Sequence, residues 1–267
     1  MLMSELKKRV ITAVFLIAGA VYWMFYTSEG VFNLLTVGLG LLAVVELLAM
    51  LSLGVGLLYV VTLAIPSLFW IWSSDTIPVL FPLLTPLVLW LLIFLATHRH
   101  NNTPEHFARF VYLQSMTMLL MLFCYTLIEV HHLPDGILFL SGAFLGVWAA
   151  DIAAYFTGKA MGKNKLCPSI SPGKSVEGFM GGLFFGTLTA AVFWVQMLAM
   201  PMLTALVLAL LLVVISVAGD LGESALKRAV GVKDSGRMLP GHGGILDRID
   251  ALLPSIPFVA MLWMVVS

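Results

Sequence analysis

The chain has 267 residues, of which 61% are hydrophobic and only 10% charged, with a formal net charge of zero and a mean hydropathy of +1.04. A soluble domain carries about a quarter charged residues, so the composition excludes a soluble globular protein and points to an integral membrane protein. Its two cysteines, Cys124 in an apolar run and Cys167 in a basic loop, suit neither a disulfide nor a zinc-type Cys/His site.

Nine apolar runs read as transmembrane helices, most of them near the ~20 residues that a helix needs to cross a hydrocarbon core. The first, 10–26, follows Lys7, Lys8 and Arg9. With Ala18-Gly19-Ala20 this start also resembles a signal peptide, but the run continues to Tyr26 and reads as a retained span. Runs 31–51 and 55–72 come next. Glu46 stands alone among the leucines and valines of the former and reads as a helix-to-helix hydrogen-bond partner. Run 77–96 contains Pro78, Pro82 and Pro86 and should be kinked near its start. Runs 110–130, 136–157, 176–200, 202–219 and the short 251–266 complete the set. The expected fold is an all-α polytopic membrane protein forming one integral membrane domain over 1–267. Its N-terminal helices, 1–135, are generic, and a catalytic half, 136–267, carries polar loops at 158–175 and 220–250.

Charge sets the expected orientation. Lys7, Lys8 and Arg9 precede run one, and Arg99 and Arg109 lie between runs four and five. Lys159, Lys163, Lys165 and Lys174 lie between six and seven, and Lys227, Arg228, Lys233, Arg237 and Arg248 between eight and nine. With a cytoplasmic N-terminus, every Lys and Arg falls on the cytoplasmic side, as the positive-inside rule requires. The opposite connections carry only acidic charges, Glu29, Asp75, Glu129 and Asp135. The C-terminus then lies on the far side.

Asp151, Glu177 and Asp220 lie inside or at the ends of apolar runs, where ionisable groups are costly and face a polar interior. Asp151 is followed by a small-residue exit and then by Lys159 and Lys163, which fits a charged site better than an isolated bridge. The segment Ser171-Pro172-Gly173-Lys174-Ser175 invites a phosphate-loop reading. That reading fails, because the glycine required five residues before Gly173 is Pro168 and no strand is expected before it. Lys174 remains a candidate phosphate-facing amine at a helix start, with a positive-inside anchor as the alternative.

The densest polar stretch lies between runs eight and nine. Asp220, Glu223, Ser224 and Lys227 are spaced by three and four and share a helix face. Asp247 and Asp250 are three apart, with Arg248 between them. Carboxylates from two segments are candidates for one magnesium, which takes oxygen ligands and shares its shell with substrate phosphates. Lys227, Arg228, Lys233 and Arg248 would neutralise charge on a transferring phosphoryl group and its leaving group. Gly241, Gly243 and Gly244 allow close approach of backbone to an anion, and His242 is a donor to a phosphate oxygen. A generic loop contacting anionic lipid would explain the amines but not the interleaved carboxylates.

The run Ser224-x-Leu226-Lys227-Arg228-x4-Lys233-Asp234-x-Gly236-x2-Leu239-Pro240-x-His242-Gly243-Gly244-Ile245-x-Asp247-Arg248-Ile249-Asp250 resembles the full signature of the phosphatidate cytidylyltransferases, or CDP-diacylglycerol synthases. The Asp151 to Gly162 and Ser171 to Gly178 segments resemble further blocks of that family. The resemblance implies transfer of the cytidylyl group of CTP to phosphatidic acid, giving CDP-diacylglycerol and pyrophosphate in phospholipid biosynthesis. It implies Asp220 and Asp247 as ligands of Mg2+, with a second, K+-like cation, and Asp220, Asp247, Lys227 and Arg248 as the catalytic group. Asp151, Lys174, Ser224, Arg228, Lys233, Asp234, His242, Gly243, Gly244 and Asp250 then bind substrate. Implied partners are CTP, phosphatidic acid and membrane lipids, with a homodimer and no nucleic acid. The implied location is a bacterial cytoplasmic membrane with the site facing the cytoplasm.

Rival readings make different predictions. A CTP-dependent lipid or polyprenol kinase would release CDP and a phosphorylated lipid. A phosphatidyltransferase would carry Asp-x2-Asp-Gly-x2-Ala-Arg, whereas Asp250 is followed by Ala251 and Leu252. A transporter would place polar groups at the bilayer midplane in paired broken helices, while here the charges cluster at one face.

Overall fold

The computed structural model describes residues 2–52, 60, 64, 103–239 and 243–266. The runs expected at 55–72 and 77–96 lie outside the described residues apart from positions 60 and 64, as do Arg99, Gly241 and His242. Among the described residues, six helices are long and apolar enough to cross a membrane: Glu29–Leu51, Phe107–His132, Gly136–Met161, Val176–Leu198, Met202–Ala229 and Leu246–Val266. They coincide with expected runs two and five to nine. Run one, 10–26, overlaps a further helix, Leu2–Phe25, up to its last residue. The protein is thus a helical integral membrane protein.

The chain divides into two compact units, one of Met1–Ile128 with Asp234–Arg248, the other of Glu129–Lys233 with Ile249–Ser267. In the first, α1 (Leu2–Phe25) turns into α2 (Glu29–Leu51) through Ser28, and the Trp23 and Phe32 rings stack across the turn at 5.0 Å. Helix α3 (Pro104–His132) begins in this unit and ends in the other. Gly40 lets α3 come close to α2: a Cβ there would lie 2.7 Å from the Cys124 sulfur. The Cys124 thiol donates to the Thr36 carbonyl at 3.5 Å, and neither cysteine is in a disulfide. Arg109 donates to the Leu51 carbonyl at 3.4 Å, satisfying one of the orphan acceptors at the α2 C-terminus.

The second unit is built on a seam of small residues. Helices α4 (Gly136–Met161) and α5 (Val176–Leu198) present Gly142, Gly146, Ala150, Ala154 and Gly158 to Gly178, Gly182, Gly186, Ala190 and Trp194, each series stepping by four residues. A Cβ at Gly186 would sit 2.6 Å from the Ala150 Cβ, and one at Gly182 would sit 2.8 Å from the Ala150 carbonyl. In a bilayer, helices gain little by hiding apolar surface from lipid, so close backbone packing of this kind supplies the association energy. At the far end of the seam the fully buried Trp194 donates to the Phe139 carbonyl at 2.9 Å. Phe139 stacks on both Trp194 and Trp263, at 4.9 and 4.3 Å. Helix α6 (Met202–Ala229) packs on α5, and after a four-residue helix α7 (Leu246–Ile249) the last helix, α8 (Leu252–Val266), packs on α6. Gly219 makes that last contact tight, since a Cβ there would lie 2.7 Å from the Asp250 carbonyl.

The all-α expectation is corrected at one place. Strands β1 (Lys165–Cys167) and β2 (Ser171–Ser175) form a two-stranded antiparallel hairpin between α4 and α5. The premise that no strand precedes Gly173-Lys174-Ser175 therefore falls, because β1 lies before the tripeptide, which itself belongs to β2. Pro172 and Gly173 are depleted from strands and hid it in the sequence. The phosphate-loop reading still fails on Pro168.

Candidate active site

In the second unit the hairpin, the C-terminal half of α4, the start of α5 and α6 enclose a cavity of about 470 Å³. Asp151, Tyr155 and Lys159 line it from α4, Lys174 and Ser175 from β2, and Asp220 from α6. The strand aims Lys174 across the cavity, where its ammonium meets the Asp220 carboxylate at 2.5 Å. Ser224, one turn on, approaches the other Asp220 oxygen at 3.4 Å. Both members of the Lys174–Asp220 pair keep more than a quarter of their side-chain surface exposed, so the pair is open to exchange with an anionic ligand rather than sealed in a core.

The next turn of α6 is different. Glu223 and Lys227 form an i,i+4 ion pair, with the residues only 2% and 8% exposed. Asp250, with its carboxylate accepting the Ala251 N–H at 2.7 Å, lies within electrostatic reach of Asp220, Glu223 and Lys227. Two acidic residues of α6, one amine and the carboxylate leading into α8 thus share one region. Spacing gave the shared α6 face; Asp250 joins it because Gly219 lets the backbones touch.

The hairpin is held by two side chains of the first turn of α5. The Ser175 oxygen accepts the Gly178 N–H at 3.1 Å, a helix N-cap. The Glu177 carboxylate accepts the Lys163 N–H at 3.1 Å and the Asn164 amide Nδ2 at 2.8 Å. Ser175→Ala should therefore lower stability by about 1 kcal/mol, read as a lower melting temperature in detergent, because Lys174 is carried on the residue before the cap.

Asp247 belongs to the first unit. Its carboxylate accepts the Ser235 N–H at 3.0 Å and the Gly244 N–H at 2.8 Å, the second bond spanning three residues as in a capping box. Gly243 takes φ +84°, and a Cβ there would lie 2.5 Å from an Asp247 oxygen. The glycines thus let the chain wrap its own carboxylate; Leu239 N–H to Gly243 carbonyl, 2.9 Å, closes the turn.

The sequence-predicted residues separate accordingly. Asp151, Lys174, Asp220, Ser224, Lys227, Arg228, Lys233 and Asp250 lie in the second unit, and Asp234, Gly243, Gly244, Asp247 and Arg248 in the first. His242 lies outside the described residues. Two cations differ from expectation in their surroundings: Lys227 is buried against Glu223, and Arg228 donates to the Val232 carbonyl at 3.1 Å, closing the end of α6. Glu46 makes the helix-to-helix hydrogen bond expected of it, accepting the backbone N–H of Leu246 at the start of the candidate span Leu246–Val266, with the Ser235 hydroxyl at 3.5 Å from the same oxygen.

Among the described residues, no three His, Cys, Asp or Glu side chains form a group able to hold a metal ion. The donor chemistry nevertheless fits magnesium, which is held by one or two carboxylates and completes its shell with water and phosphate oxygens. At the cavity, Asp220 is a carboxylate of the kind such an ion uses.

Fold and site define an integral membrane protein with a charged cavity lined from helix ends and a hairpin. A model of the cytidylyltransferase family matches residues 7–266, and the chain belongs to that family. It is 47% identical over 137 residues to a phosphatidate cytidylyltransferase of Bacillus subtilis, covering 51% of each chain. It is 52% identical over 120 residues to one of Pseudomonas aeruginosa, covering 44% of each. A Haemophilus influenzae protein of the same name is 47% identical over 133 residues, 48% of this chain and 46% of its own. The chain spans about half the length of these curated relatives.

Proposed function

We propose that the chain transfers the cytidylyl group of CTP to phosphatidic acid, releasing pyrophosphate and forming CDP-diacylglycerol for phospholipid synthesis. The observation that carries this reading is its 47–52% identity to proteins named phosphatidate cytidylyltransferase. The lipid phosphate oxygen attacks the α-phosphorus of CTP, and the bond to pyrophosphate breaks in line. A phosphate monoester has its second pKa near ~6, by analogy with phosphoserine, so the nucleophile is already anionic and needs no strong base. The task left to the protein is to bring two anions together and orient them.

The residues suit that task. Lys174 leaves Asp220 for a phosphate, while Arg248 and Lys233 add positive charge and Lys227, fixed by Glu223, contributes a standing one. Arg228 and Ser224 complete the α6 contribution. Asp151, Asp234, His242, Gly243, Gly244 and Asp250 position the nucleotide and headgroup. Asp220 and Asp247 would hold Mg2+, with a K+-like cation beside it; a bound divalent ion supplies positive charge to the phosphate oxygens. We assign the N-terminus and the site to the cytoplasmic side of a bacterial inner membrane, on the distribution of Lys and Arg, and the enzyme to a homodimer, on the family resemblance.

The test is purified protein with α-labelled CTP, phosphatidic acid and magnesium. CDP-diacylglycerol and pyrophosphate are the expected products; CDP with a newly phosphorylated lipid would replace the reading with a kinase. Inverted membrane vesicles should consume added CTP and right-side-out vesicles should not.

A further inference from the structure

Glu46 has no part in the chemistry above, yet it is buried to 4% exposure near the end of α2. An ionisable group is costly to bury unless polar partners compensate it. Its partners come from about 200 residues along the chain. Glu46 Oε2 accepts the backbone N–H of Leu246, the first residue of α7, at 3.1 Å, and the Ser235 hydroxyl approaches the same oxygen at 3.5 Å. Gly236 and Gly244 complete the seat: a Cβ at Gly236 would lie 2.6 Å from Oε1, and one at Gly244 2.5 Å from Oε2. No side chain could stand at either position without displacing the carboxylate.

The same segment carries Asp247. Ser235 and Gly244, which touch Glu46, are also the residues whose N–H groups hold the Asp247 carboxylate. One carboxylate from α2 and one from α7 therefore fix the same short piece of backbone from two sides, within one compact unit. We propose that Glu46 is a positioning residue that, by seating Ser235, Gly236, Gly244 and Leu246, sets the orientation of Asp247 for the transfer reaction. The kinetic consequence rests on the function proposed above; the anchoring itself does not.

Hydrogen exchange and kinetics on the full-length protein test the two parts separately. Glu46→Leu keeps the bulk and removes the acceptor. A lost hydrogen bond to a charged group is worth about 1.5–3 kcal/mol, so exchange in peptides from Asp234–Arg248 should speed up about 10–100-fold, with α4–α6 peptides unchanged. Turnover should fall at least about tenfold through kcat rather than through the KM for CTP. Glu46→Gln keeps a carbonyl acceptor for Leu246 N–H and should recover most of both readouts. Gly236→Ala, which crowds the carboxylate from the loop side without altering α2, should reproduce the Glu46→Leu behaviour and decides the matter if Glu46→Leu fails to fold. Unchanged exchange in Asp234–Arg248 in these variants overturns the anchor, as does a Glu46→Gln protein as impaired as Glu46→Leu. Faster exchange with unchanged kcat overturns the link to Asp247. If the wild-type protein makes no CDP-diacylglycerol, the proposed function fails while the exchange measurement still decides the anchor.

Discussion

Asp220→Asn and Asp247→Asn should each lower CDP-diacylglycerol formation about 10²–10³-fold, the scale on which preorganised electrostatic contacts act in catalysis, and both proteins should remain folded and membrane-inserted. The two variants should nevertheless differ in stability, and the structure gives the reason. Asp220 pairs with Lys174 at a cavity where both side chains are more than a quarter exposed. Ion pairs in that setting contribute little to stability, so Asp220→Asn should melt close to wild type. Asp247 instead accepts two backbone N–H groups in a turn closed by glycines. Both bonds end on Oδ2, which an Asn oxygen replaces, but the NH2 then stands where Oδ1 meets the Ser235 N–H at 3.2 Å, donor against donor, at a cost of about 1 kcal/mol. Asp247→Asn should therefore lose turnover and melting temperature together, and speed hydrogen exchange across Asp234–Arg248. Labelled-CTP assays with thermal melts in detergent make the comparison. Wild-type turnover in either variant would remove that residue from the magnesium assignment.

What the sequence disclosed depended on the range of the forces involved. Long apolar runs have only one stable solution in a bilayer, so the six candidate spans lie close to where hydropathy put them. The α6 face of Asp220, Glu223, Ser224 and Lys227 is likewise local, a matter of helical period. The burial of Lys227 was not legible, because spacing says that Glu223 can reach it but not what covers the pair. The hairpin was missed since a three-residue and a five-residue strand, the latter holding Pro172 and Gly173, carry no alternation to detect. Glu46 posed the opposite difficulty. Its oddity among leucines was plain, but its partners lie near position 240, and nothing local names them. The four-residue steps of small residues in 142–158 and 178–190 were visible and could have been matched as a small-residue seam.

That seam supplies the largest structural effect expected from a single change. Gly186→Leu should prevent stable assembly of the second unit. At this point a Cβ alone would lie 2.6 Å from the Ala150 Cβ, 2.9 Å from the Gly146 carbonyl and 2.9 Å from a Val213 methyl. Backbone and stubby side chains cannot rotate aside, so α4, α5 and α6 would all have to move. Overpacking a close-packed core costs about 1–3 kcal/mol, occasionally more, and contact with backbone on one side and α6 on the other places Gly186 at the upper end. The consequence reaches the cavity, because the same two helices end there: Gly158 and Gly178 continue the seam to the turn that holds Ser175 and Lys174. The variant should enter the membrane, since its helices remain apolar, but aggregate at a much lower temperature than wild type in detergent and lose CTP turnover with it. Gly38→Ala is the matched control. Nothing lies within 4 Å of a Cβ there, and removing a helical glycine should leave stability unchanged or raised by up to about 1 kcal/mol. A Gly186→Leu protein that melts with the wild type would mean that the α4–α5 backbones do not approach as closely as the seam requires.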